Sequence, residues 1–128
     1  MISFAELVLG AGMPIYLQII LYIKRGMAAG TIQNGDEMPS RRVLSALLGV
    51  NRNTIQKAYR LLEEEGLISS HTGAKSCASA TAEQVAMIRR ELLRQEAQSL
   101  VEAMKQMGAT KEEAVQMIAA LWERGGAE

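Results

Sequence analysis

Arg41, Arg42, Arg52, Lys57 and Arg60 are the residues of this chain whose types and spacing point first to chemistry. Every charge from Arg41 to Arg60 is positive, and the next acid is Glu63. Such a run builds a local positive field that attracts a polyanion. Between these cations lie Asn53, Thr54 and Gln56, whose side chains can bond the edges of bases: Arg pairs with guanine, Asn or Gln with adenine, at about 1–3 kcal/mol of discrimination each. Ser40 and the backbone at a helix start suit phosphate. The chemistry implied is the recognition of double-stranded DNA, with some side chains positioning and others reading.

The elements that must hold these residues are legible from residues 38–67. Ser40 is a candidate N-cap, Leu44, Leu47 and Leu48 form an apolar face, and Gly49 ends a first short helix. Asn51 caps the next, whose buried stripe is Ile55, Ala58, Tyr59 and Leu62, leaving Arg52, Asn53, Thr54, Gln56 and Lys57 in its opening turns. This is a helix-turn-helix whose second helix would enter the major groove N-terminus first. A preceding helix opens at Pro14, carries Ile15, Ile19, Tyr22 and Ile23 inward, and runs to about Ala29 before Gly30. The segment from Thr31 to Pro39 reads as a loop of fixed shape around Asn34-Gly35. After Gly66, residues 67–71 and 75–78 suggest two short strands about a tight turn. Three helices and a hairpin in that order spell a winged helix.

From Thr81 the pattern changes. Thr81 and Gln84 have capping-box spacing, and Val85, Ile88, Leu92, Leu93, Leu100, Val101, Met104 and Met107 mark a long helix ending at Gly108. Thr110 and Glu113 repeat the box before a shorter helix with Val115, Ile118, Ala119, Leu121 and Trp122 on one side. Two helices cannot bury such stripes alone, so they must pack on the first domain or on another chain. The expected architecture is mainly α (α+β): a winged helix-turn-helix DNA-binding domain, residues 1–80, and a C-terminal two-helix dimerisation extension, residues 81–128. Leu92, Leu93, Leu100, Met104, Met107, Ile118, Leu121 and Trp122 are its candidate dimerisation residues.

Composition narrows the function. The 128 residues balance 14 basic against 14 acidic side chains, but residues 1–80 hold 8 and 6, and residues 81–128 hold 6 and 8. One cysteine, Cys77, excludes an internal disulfide or a cysteine metal cluster and fits a reducing cytoplasm. It reads as a small buried residue in the wing, with redox sensing as the alternative. His71 reads as a strand residue, with a phosphate contact at the wing tip as its alternative, and Glu63-Glu64-Glu65 reads as a solvated helix end. With a single His and a single Cys no acid, base and nucleophile set can be assembled, so an enzyme is not expected, nor a metal or cofactor. No apolar run reaches the roughly 20 residues of a membrane helix, and the opening residues carry Glu6 where a signal peptide is basic; a soluble, cytoplasmic protein without membrane partners is expected.

Residues 14–74 resemble the N-terminal winged helix of the GntR family of bacterial transcription regulators. The resemblance rests on Pro14-Ile15-Tyr16, Gly30, Gly35-Asp36-Glu37-Met38-Pro39-Ser40, Arg42, Leu44, Leu48-Gly49-Val50-Asn51-Arg52-Asn53-Thr54, Ala58-Tyr59, Leu62 and Glu65-Gly66-Leu67. It implies operator contacts by Arg42, Arg52, Asn53, Thr54, Gln56, Thr72 and Gly73, with Arg41 as a phosphate neighbour. In place of the second glycine, threonine and aromatic usual in that wing, this chain has Lys75, Ser76 and Cys77; Lys75 stays a candidate phosphate contact. The short two-helix tail resembles the YtrA-like subfamily, which implies a homodimeric repressor, often of an ABC transporter operon. A small-molecule effector of unknown chemistry is a further partner this reading admits. The alternative is a structural nucleic-acid-binding module without sequence preference, and the polar, lysine-poor start of the reading helix argues against it.

Overall fold

The computed structural model describes residues 1–70 and 75–126. Helix α1 (Ile15–Ala29) starts at Pro14, whose carbonyl accepts from Leu17 and Gln18 N–H, and stops at Gly30, where a φ of 83° lets the N–H turn back to Met27. It buries Ile19, Ile20, Ile23 and Met27. Helix α2 (Arg41–Leu48) is capped by the Ser40 hydroxyl, which accepts from Val43 N–H at 3.1 Å. Helix α3 (Arg52–Glu64) is capped by Asn51 Oδ1, 2.7 Å from Asn53 N–H. An N-cap of this kind stabilises a helix start by about 1 kcal/mol.

Strands β1 (Ile68–Ser70) and β2 (Ser76–Ala78) pair antiparallel, with Ile68 opposite Ala78 and Ser70 opposite Ser76. The loop before α2 joins this sheet from the other side: Met38 N–H donates to Ser76 O, Ala78 N–H to Asp36 O, and Glu37 bridges Cys77. Its fixed shape therefore comes from ladder bonds as well as from Gly35 and Pro39. The core is filled by Ile19 and Ile23 of α1, Leu44 of α2, Ile55, Ala58, Tyr59 and Leu62 of α3, and Leu67 and Ile68. Burying each large aliphatic chain contributes about 1.5–3 kcal/mol.

Three details differ from the sequence reading. Leu47, expected on the inner face of α2, is exposed, because an eight-residue helix offers only Leu44 and part of Leu48 to the core. Cys77 is half-buried rather than buried: Ser76 and Ala78 on either side of it take the inner face of β2, so the strand's alternation turns Cys77 to the outer face. Residues 1–13 received no element, yet Ile2 and Phe4 belong to the core: Phe4 stacks on Tyr22 at 5.1 Å, and Ile2 N–H donates to Glu37 O. Gln18 ties down the rest of this arm, bonding Gly10 through both its N–H and carbonyl and Met13 through its carbonyl.

Helices α4 (Ala82–Gln106) and α5 (Lys111–Gly126) begin at the two capping boxes, Thr81 with Gln84 and Thr110 with Glu113. The chain divides into two compact units, Met1–Glu91 and Leu92–Glu128. The break falls inside α4 because Val85 and Ile88 pack on the first core, so the start of this helix is part of the winged-helix unit. In the second unit Leu93, Leu100, Val101, Met107, Val115, Met117, Ile118, Leu121 and Trp122 are exposed.

Candidate nucleic-acid interface

The period of α3 separates its residues by role. Ile55, Ala58, Tyr59 and Leu62 are buried, which turns Arg52, Asn53, Gln56 and Lys57 outward in the first two turns, with Thr54 half-buried between. Neither α2 nor α3 has an acid in its first turn, so the positive ends of both helix dipoles are left uncancelled. Arg42 and Arg52 are exposed, and among the described residues neither has an ion-pair partner. Lys57 is exposed as well, its ammonium 4.1 Å from the centre of the Tyr16 ring, which steadies the side chain without neutralising it. A surface of this kind can attract phosphate and offer both donors and acceptors to base edges.

The other cations are matched by acids. Arg41 Nη2 lies 3.1 Å from Glu63 Oε1, Arg60 Nη1 lies 2.7 Å from Glu64 Oε2, and Lys75 Nζ lies 3.4 Å from Glu37 Oε2. Lys24 of α1 takes Glu65 at 3.1 Å. The run Glu63-Glu64-Glu65 is thus a set of ion-pair partners, where the sequence suggested only a solvated end. Acids at a helix C-terminus oppose its dipole, and here the paired cations offset that cost. The Arg41 guanidinium also sits 5.1 Å over the Tyr59 ring. Tyr59 is buried and donates its hydroxyl to Pro39 O at 2.7 Å, which fixes the residue before the α2 cap. Burial pushes that hydroxyl's pKa far above its usual range, against the lowering pull of Arg41, so it remains a donor.

Of the sequence candidates, Ser40 is exposed and its oxygen is engaged in the cap of α2. Lys75 is exposed beside Glu37. His71, Thr72 and Gly73 lie outside the described residues. Sequence reasoning gave Glu63 and Glu37 no cationic partner; only the Arg60–Glu64 pair had a local signal, the i,i+4 helix spacing. Among the candidate dimerisation residues Leu92 and Met104 are half-buried, while Leu93, Leu100, Met107, Ile118, Leu121 and Trp122 are exposed, Trp122 at 79%. Among the described residues no group of His, Cys, Asp or Glu is placed to hold a metal, and no helix is long and apolar enough to cross a membrane.

Comparison with known proteins matches residues 15–75 to the family described as "Bacterial regulatory proteins, gntR family". The HTH-type transcriptional regulator YhcF of Bacillus subtilis (strain 168) is 34% identical over 112 residues, 88% of this chain and 93% of YhcF. The HTH-type transcriptional repressor YtrA of the same organism is 43% identical over 60 residues, 47% of this chain and 46% of YtrA. Among solved structures, a GntR family transcriptional regulator from Listeria monocytogenes matches with a TM-score of 0.78 and 28% identity, over 88% of this chain and 98% of its own. The DNA-binding domain of AraR in complex with an operator matches at 0.50 and 28%, over 57% of this chain and 93% of its own.

Proposed function

The chain belongs to the GntR family of DNA-binding transcriptional regulators, and from that premise we propose that it acts as a homodimeric repressor that reads one pseudo-palindromic operator. The observation that carries the reading is the outward face of α3, where Arg52, without an ion pair among the described residues, stands with Asn53, Gln56 and Lys57 on a helix of uncancelled positive N-terminus. In this reading Arg52, Asn53, Thr54 and Gln56 meet base edges, while Arg42, Lys57 and the α2 start at Ser40 meet phosphate. Thr72, Gly73 and Lys75 of the wing are further proposed contacts. The operator held by AraR supports DNA as the partner, and the name of YtrA supports repression. Regulators of this family are not enzymes.

Dimerisation is proposed through α5 and the part of α4 beyond Glu91. Leu100, Leu121 and Trp122 are each exposed, apolar area that is costly in water and that association with a second copy would bury. Paired heads would read half-sites roughly 34–36 Å apart, or a multiple of that spacing. An operon for an ABC transporter is the proposed target class, and an effector would act by favouring or opposing the paired state competent for DNA.

The test is selection of bound sequences from random duplex DNA by the purified protein at near-physiological salt. Enrichment of one inverted repeat is the expected result. Binding with strong salt dependence and no enriched sequence would favour the structural nucleic-acid module, unless adding an effector restores enrichment.

A further inference from the structure

Glu63 sits where three parts of the DNA-facing unit meet. It lies in the last turn of α3, and its Oε1 takes Arg41 Nη2 from the start of α2 at 3.1 Å and the Ser70 hydroxyl from the end of β1 at 3.3 Å. Ser70 Oγ is in turn 3.4 Å from Ser76 Oγ, its partner across the sheet, and Ser76 is buried at the base of the wing. One carboxylate therefore links the helix before the turn, the reading helix and the wing hairpin.

Arg41 is enclosed at this junction. Its side chain is 29% exposed, its Nε is buried with no hydrogen-bond partner among the described residues, and its guanidinium lies over the Tyr59 ring. Reaching out to a phosphate would break the Glu63 pair and the ring contact together. It would also leave a half-buried carboxylate without its cation, which adds to the cost of the move. Arg42, its neighbour in sequence, is exposed and free of these ties.

We propose that Glu63 is a positioning residue for DNA binding and that Arg41 is engaged within the protein as its partner, holding α2 and the wing against α3, instead of neutralising a phosphate. This rests on the DNA-binding reading above and assigns Arg41 a different role within it. The pair acts by setting the angle at which other residues meet the duplex. Its loss lowers affinity without changing the number of phosphates contacted.

The experiment measures DNA affinity across a salt series for the full chain and for Arg41→Gln, Glu63→Gln, the double variant and Arg42→Gln, using the duplex enriched by the wild type. Each neutralised phosphate contributes about 0.9 to the slope of log K against log salt, so the slope counts contacts independently of folding stability. Arg41→Gln and Glu63→Gln are each expected to weaken binding about five-fold with the slope unchanged, a loss in the range of a partly buried ion pair. The double variant should be no weaker than either single one. Arg42→Gln should flatten the slope by about 0.9 per bound copy.

A slope flattened by about 0.9 per copy in Arg41→Gln would overturn the proposal by making Arg41 a phosphate contact. So would tighter binding with a steeper slope in Glu63→Gln, which would make the acid a brake on Arg41. Should Arg41→Gln melt below the assay temperature, Glu63→Gln decides by the same signs. Were no sequence enriched by the wild type, the operator reading would fall, while the same slopes read on a random duplex would still decide the role of Arg41.

Discussion

The salt dependence of DNA binding by the unaltered chain is set by how many cations the fold leaves free. Among the described residues Arg42, Arg52 and Lys57 are exposed without an ion pair, while Arg41, Arg60 and Lys75 each face an acid within 3.4 Å. If the paired cations stay with their acids and Arg52, with no operator base to read on a random duplex, meets phosphate beside Arg42 and Lys57, each copy bound releases about three counterions, and log K falls against log salt with a slope of about −3 per copy. Raising salt from about 50 to about 200 mM should then weaken binding roughly 40-fold per copy. If all of these cations turned to phosphate, the slope would be about −5 per copy and the same change would cost about 2,000-fold. Fluorescence anisotropy on a random-sequence duplex, with the number of copies fixed by sedimentation, separates these values. A slope of −5 per copy or steeper would refute the reasoning, because it would mean that the ion pairs of the free protein open on DNA.

The other expectations concern base reading, assembly and the support beneath α2. Arg52→Ala should cost about 1–3 kcal/mol on the selected operator and relax the preference at one base position; an equal loss on every sequence, read by competition with mismatched duplexes, would rule out base reading. Leu100→Asp and Trp122→Ala should each shift the chain toward monomer in sedimentation and weaken operator binding, whereas a stable dimer carrying both changes would place the interface elsewhere. Tyr59→Phe removes the donor to Pro39 O at a buried site and should lower stability by about 1–2 kcal/mol in urea unfolding; an unchanged midpoint would mean that this carbonyl finds another donor.

Local rules were sufficient to find the helices. Ser40, Asn51, Thr81 and Thr110 each cap the helix expected of them, and Gly30 and Gly49 each end one, because caps and left-handed stops are decided by neighbours within about four residues. The stripe of α3 was equally visible, since its burial follows the helical period. The arm from Met1 to Met13 was not, because Ile2 and Phe4 are held by α1 and by the loop at Glu37, partners distant in sequence. The state of each cation was hidden for the same reason. Arg41 and Glu63 are separated by 22 positions and Lys75 and Glu37 by a whole helix-turn-helix, so no spacing rule reports their pairing.

In the proposed reading that hidden pairing bears on specificity as well as on affinity. Non-specific binding rests almost wholly on phosphate neutralisation, whereas specific binding adds base contacts that do not depend on further charge. On that reading Arg41, Arg60 and Lys75 stay in their ion pairs and neutralise no phosphate, so the proposed base contacts of Arg52, Asn53 and Gln56 make up a larger share of the total. A competing genome offers an excess of wrong sites, so the ratio of specific to non-specific binding decides occupancy. The Glu63-Glu64-Glu65 run, in the proposed reading, does more than end a helix: Glu63 fixes Arg41 as a structural partner and Glu64 takes Arg60, so both charges are satisfied within the protein and discrimination among sequences rests on the outward side chains of α3.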